Sequence, residues 1–290
     1  MHRVSDSPIV SFARGGEVFE LGRSGQDPVL HLHGSTGLGL APVSIASSER
    51  LAGDGSIVRG VRYDSREVFI PLYMEAASTG ELSAVRRDLT ALLAPHRGPV
   101  EVRIEDPATG SDRMIRGYLR EGLEGDFGDG FHGVWQTLGL TFECPDPWWL
   151  GPERLVSLQV NPGSKPFLSE TVEFFPVMLA QSVVVGEFEV TIDGAGPVLP
   201  SWEVVGPGED LRISNGTDVI EIDGEFEAGT STVIDAATGR ITPDRLADTS
   251  LRSRLFELKP GRQKIKVSLV GATTDTVVRL VYRERYLEGV

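Results

Sequence analysis

Apolar and polar residues alternate with the period of a β-strand through much of the chain, and one segment alone follows the period of a helix. Ser78 stands as an N-cap with Glu81 three residues on, which makes a capping box. Leu82, Val85, Leu89, Leu92 and Leu93 then recur on one face, while Arg86, Arg87 and Asp88 fall off it. Pro95 and Gly98 end the pattern, so a helix is predicted over about 79–93. Its apolar face has to be buried against a sheet or a barrel end.

Strand patterns surround it. From Arg66 to Met74, Val68, Ile70 and Leu72 share one face, with Phe69 and Tyr73 on the other. Val100, Val102 and Ile104 alternate with Glu101, Arg103 and Glu105. The turn Asp106-Pro107-Ala108-Thr109-Gly110 then leads into a partner strand from Met114 to Arg120. Val134 to Cys144 reads as a further strand, and Cys144-Pro145-Asp146-Pro147-Trp148-Trp149 breaks the pattern. A domain boundary is expected near 150–165, loosest at Asn161-Pro162-Gly163.

Beyond it no helix is readable. Phe188, Val190 and Ile192 alternate, as do Ile265, Val267 and Leu269, and Asn215-Gly216 suits a hairpin turn. Trp202, Val204 and Val205 belong to a strand of their own, and Val277 to Tyr282 is a late apolar one. Many short strands between turn signals such as Gly53-Asp54-Gly55, Gly128-Asp129-Gly130 and Asp223-Gly224 indicate a β-sandwich or jelly roll. The expected organisation is two mostly-β domains, 1–157 and 158–290.

Composition narrows the function. Formal net charge is −14, which argues against a broad nucleic-acid-binding surface and suits a surface that DNA slides past. Cys144, the one cysteine, makes no internal disulfide and reads as a buried thiol. The most apolar window, Phe174 to Val185, is broken by Pro176, Gln181 and Ser182 and falls short of the roughly 20 residues of a membrane span. With no signal-peptide pattern at the start, a soluble protein made in a cytoplasm is expected.

Candidate chemistry is sparse. His33-Gly34-Ser35-Thr36-Gly37 lacks the ending of a phosphate-binding loop and is followed by no helix pattern. His31 and His33 would share a strand face, but a metal site needs a third ligand, and a polar pair on an exposed face is the simpler reading. Glu221, Asp223, Glu225 and Glu227 alternate with apolar or small residues and read as a solvated face rather than a glycosidase pair. Asp193, Asp223 and Asp235 suit turns, although a sandwich loop could also hold Ca²⁺. No catalytic, cofactor-binding or metal residue is therefore assigned. Trp202, Trp148 and Trp149 are the candidate carbohydrate or interface residues: Trp202 as sandwich core or as a sugar-stacking ring, Trp148 and Trp149 as packing at a joint or subunit contact.

The order of features carries more than any motif. Gly34 to Gly39 leads through Pro42 to Gly53-Asp54-Gly55, then to Val58-Arg59-Gly60-Val61-Arg62-Tyr63 and the strand from Arg66. The helix from Leu82 to Leu93, the strand closing on Pro145-Asp146-Pro147-Trp148-Trp149, and Leu258-Lys259-Pro260-Gly261-Arg262-Gln263 follow. The tail Tyr282-Arg283-Glu284-Arg285-Tyr286 ends the series. In this order the chain resembles the distal tail protein family (Dit, siphovirus-type tail components) of long-tailed bacteriophages.

That resemblance implies a split β-barrel with one helix as a ring-forming hub domain, and an outward galectin-like β-sandwich (jelly roll). It implies a virion structural protein at the distal end of the tail, without cofactor or turnover. The implied partners are further copies of the chain in a hexamer, the tail tube protein, a tail-tip or tail-associated (Tal-type) protein and the tape measure protein. Genomic DNA would pass the bore without specific binding, host cell-wall glycans are a further candidate contact, and no membrane insertion is implied. The alternative is a carbohydrate-binding, lectin-like protein that contacts the host cell wall.

Overall fold

The computed structural model describes residues 8–22, 27–125, 132–159 and 183–290. The expected turn at Gly128–Gly130 and the loop at Asn161-Pro162-Gly163 lie outside the described residues, as does most of the window from Phe174. The chain divides into two compact units: unit 1 comprises Met1–Pro152 and Tyr286–Val290, and unit 2 comprises Glu153–Arg285.

Unit 1 is a curved antiparallel sheet. Its strands are β1 (Ile9–Arg14), β2 (Glu17–Glu20), β3 (Val29–His31), β6 (Arg66–Glu75), β7 (Val100–Asp106), β8 (Ser111–Glu121) and β9 (Trp135–Cys144). They follow the order β2-β1-β7-β8-β9-β6-β3. The two ends meet through a parallel bridge between Gly22 and Leu30, where the Gly22 amide donates to Val29 O at 2.8 Å. β10 (Trp149–Gln159) also pairs with β8, at Leu150 and Met114, so β8 carries β9 on one stretch and β10 on another. The barrel is split there, as the family resemblance implies.

The pleat explains the core. In β6 every second residue from Val68 to Met74 is buried, and Val100, Val102 and Ile104 do the same in β7. Phe12 of β1 meets Phe142 of β9 with ring centroids 5.3 Å apart. The helix, α1 (Thr79–Leu93), lies on this core with Leu82, Leu89, Leu92 and Leu93 buried. Its capping box is formed: the Glu81 amide donates to Ser78 Oγ at 3.2 Å, and the Ala77 amide donates to Glu81 Oε2 at 3.1 Å. Beyond its C-terminus the Arg14 guanidinium donates to the carbonyls of Ala94, Gly98 and Pro99, where a cation complements the helix dipole.

Unit 2 is a β-sandwich. One sheet orders β16 (Arg240–Thr242), β15 (Ser231–Asp235), β12 (Ser201–Val205), β18 (Val277–Tyr286) and the later part of β10. The other orders β11 (Val183–Ile192), β17 (Gly261–Val270), β13 (Gly208–Ser214) and β14 (Val219–Phe226). Their inner faces form one core, with Trp202, Val204, Val278 and Leu280 from the first sheet and Leu211, Ile213, Ile265 and Val267 from the second. The hairpin at Asn215-Gly216 joins β13 to β14. Asn215 Oδ1 accepts from the Thr217 and Asp218 amides, and Gly216 takes a φ of 90°, which an unbranched glycine adopts freely. From Trp149 the chain continues as strand β10, and Tyr286–Val290 belong with unit 1.

Candidate functional site

Two strands of unit 1 stand apart from the barrel. β4 (Val43–Glu49) and β5 (Ser56–Tyr63) pair only with each other among the described strands. Opposite residues in an antiparallel pair share a face. The register Val43↔Tyr63, Ile45↔Val61 and Ser47↔Val58 therefore places Val43, Ile45, Val58, Val61 and Tyr63 on one side of the ribbon. That side faces water: Ile45 is 61% exposed, Val58 58% and Val61 63%. Ser44, Ala46, Gly60 and Arg62 occupy the other side, and Leu51 near the tip is fully exposed.

The roots of the ribbon are fixed. The Asp64 amide donates to Pro42 O at 2.9 Å, Ser44 Oγ bonds the Asp64 carboxylate, and Arg62 Nε lies 3.1 Å from Asp64 Oδ1. Tyr63 meets the Trp148 ring edge-on at 5.3 Å. A two-stranded ribbon alone in water is marginally stable. Edges without a strand partner among the described residues, beside a contiguous apolar face, are features that suit contact with another chain.

The three tryptophans separate. Trp202 is fully buried in the unit 2 core between Phe188 and Phe256, with centroids at 6.4 and 6.3 Å, so neither ring face is open to a sugar. Strand alternation turned it inward with Val204. Trp149 is fully buried in unit 1 and likewise exposes no face. Trp148 is half-buried at the root of the ribbon. Elsewhere on unit 2 is an open cavity of about 420 Å³ lined by Asn215, Asp218, Leu255, Glu257, Lys259 and Gln263, among others.

The other candidates fall into structural settings. His31 Nε2 lies 2.7 Å from Ser35 Oγ, and burial, with His33 nearby, lowers its pKa. Among the described residues no three His, Cys, Asp or Glu side chains stand close enough to hold a metal ion. Asp235 serves a turn, its carboxylate accepting from the Ala237 amide and from Thr238. On β14, Ile220, Ile222 and Phe226 are buried, while Asp223 and Glu225 face solvent.

Cys144 is buried, and loss of hydration pushes its thiol up to about 12 against the opposing pull of Arg66. Thiolate is the reactive form, so the native protein should not react with an aromatic disulfide reagent at pH 8 and should react fully once denatured. Rapid labelling of folded protein would contradict this burial. The unfolded thiol ionises near its ordinary value, about 8.5. Raising the pH above that value therefore favours the unfolded chain through this group, up to about 12.

Residues 193–286 match the family model described as the siphovirus-type tail component, C-terminal domain. The matched stretch falls almost wholly within unit 2. The chain is also similar over nearly its whole length to solved structures. Against the crystal structure of the phage SPP1 Dit protein the TM-score is 0.61 at 17% identity, covering 95% of this chain and 98% of that one. Against the phage p2 baseplate in its Sr-activated conformation it is 0.58 at 10% identity, again covering 95% and 98%. At these identities the likeness establishes the fold. No curated protein matches the chain. The resemblance read from the order of sequence features is borne out, and with it the mostly-β fold.

Proposed function

We propose that this siphovirus-type tail component is the distal hub of the tail, closing into a ring through the β4–β5 ribbon of unit 1. The observation that carries the reading is the exposed apolar face of the ribbon, Ile45, Val58 and Val61, between two edges that have no strand partner among the described residues. A ring needs a head-to-tail contact between two different patches of one chain, and a projecting ribbon supplies one of them. A hexamer suits the reading, with one face on the tail tube and tape measure proteins and the other on a tail-tip or Tal-type protein. The net charge of −14 suits a bore that DNA traverses without binding. The SPP1 Dit protein is described as a paradigm of the hub of an adsorption apparatus in phages that infect Gram-positive bacteria, which agrees with this role. Unit 2 would face outward. Contact with host cell-wall glycans there is a second reading, and the cavity beside Asn215 and Gln263 favours it over any of the tryptophans.

The double substitution Ile45→Asp and Val61→Asp tests the ring. Both side chains are exposed, so folding stability should change by no more than about 0.5 kcal/mol. Light scattering should find the unaltered protein as a closed multiple of the chain mass and the variant as a monomer. An oligomer of unchanged size in the variant would remove the ribbon from the interface.

A further inference from the structure

The last five residues make a set of contacts that the tail-hub reading does not use. The Tyr286 ring lies against the Arg113 guanidinium, 3.5 Å from its centroid. Leu287 O accepts from Arg66 Nη2 at 3.0 Å, and the Gly289 amide donates to Leu38 O at 2.8 Å. Gly289 lies flat on the Trp149 indole: a Cβ there would come within 2.7–2.9 Å of three ring atoms, and the indole is buried and closely packed.

The partners of this segment lead to the two roots of the ribbon. Leu38 sits between Gly37 and Gly39, whose carbonyls accept from Arg66 Nη1 at 2.9 and 2.6 Å. One guanidinium therefore holds both the 37–39 loop and Leu287, and four residues after that loop β4 begins at Val43. On the other side, Trp149 is preceded by Trp148, which packs on Tyr63 at the end of β5. Consecutive tryptophans thus touch the C-terminal segment and the ribbon in turn.

We propose that residues 286–289 are a strap that sets the position of the β4–β5 ribbon, through Arg66 and the 37–39 loop at one root and the Trp149-Trp148 pair at the other. The physical reason is leverage. A ribbon with no sheet neighbour among the described residues is positioned by its roots, so groups that lock the roots decide where its apolar face points. The strap's consequence for assembly rests on the ribbon being the ring interface; its control of the ribbon does not.

The test substitutes Gly289→Val in the full chain, with Gly289→Ala as the milder form and Val290→Asp as the control at an exposed neighbour. Amide hydrogen exchange is read in dilute, dissociated protein over Leu287–Gly289, over the ribbon and over β6. With the strap displaced, ribbon exchange should rise about tenfold or more while β6 keeps its protection, and the control should match the unaltered protein. If β6 also loosens in the valine variant, the alanine variant is the one read. Fast exchange in the strap with an unchanged ribbon overturns the proposal. Assembly is then followed by light scattering, where a looser ribbon should demand about tenfold more protein to form the ring. Ribbon exchange that rises while assembly stays intact would keep the strap and sink the ring interface instead, so the two failures are told apart.

Discussion

Replacing Trp202 with alanine should lower the stability of unit 2 by about 3–5 kcal/mol, the usual range for deleting a buried large aromatic. The indole is fully buried, and β12 is paired on both sides, Trp202 opposite Ile234 of β15 and Leu280 of β18. Phe188 and Phe256 meet the ring edge-on, so the deletion removes both transfer free energy and oriented aromatic contacts. A sheet pinned by backbone pairing on both sides collapses poorly into the cavity left behind, which places the loss toward the upper end. Chemical denaturation followed by circular dichroism, with hydrogen exchange in β12 and β18 to locate the loss, measures it. A change below about 1 kcal/mol would return the indole to the surface and reopen the sugar-stacking reading.

Replacing Arg66 with methionine should destabilise unit 1 by about 3–5 kcal/mol. Arg66 is 2% exposed, and its guanidinium satisfies the carbonyls of Gly37, Gly39 and Leu287. Each carbonyl left without a donor costs roughly 1–3 kcal/mol, and release of a buried charge offsets part of the sum. Burial lowers the pKa of Arg66, the mark of a cation taken out of water, and Nε has no acceptor among the described residues. Methionine keeps most of the volume and removes every donor, so the loss reads the hydrogen bonds and not the packing. Lysine should recover only part of it, since a single ammonium cannot reproduce the planar fork. Equilibrium unfolding of the three proteins checks the order, and equal stability of arginine and methionine would show the carbonyls to be satisfied in another way.

Local patterns were legible wherever the deciding neighbours lie close in the chain. The helix from Thr79 to Leu93 was read from Ser78, Glu81 and the leucines that follow, because capping and side-chain spacing act within one or two turns. Strands β6, β7 and β17 were read from their alternation, which the pleat imposes on every residue. The turn at Asn215-Gly216 followed from glycine's freedom at positive φ. The order of these elements sufficed for the family resemblance.

The ribbon marks the limit. Its alternating apolar residues, Val43, Ile45 and Val61, have the same local pattern as a strand with a buried face, and period 2 says which residues share a side without saying what covers it. Arg66 shows the converse: its charge argues for solvent, while its parity with Val68 and Ile70 puts it on the inner face of β6, where the fold buries it. Its partner Leu287 stands 221 residues away, a separation at which no short-range preference operates. Trp202 and Trp149 went to cores and Trp148 to the root of the ribbon for the same reason. Local sequence sufficed for the helix, for strands such as β6, β7 and β17 and for the Asn215-Gly216 turn, since these depend on neighbours a few residues apart. Which apolar face stays open, what surrounds the Arg66 charge and where residues 286–289 dock depend on surfaces that meet once the chain has folded.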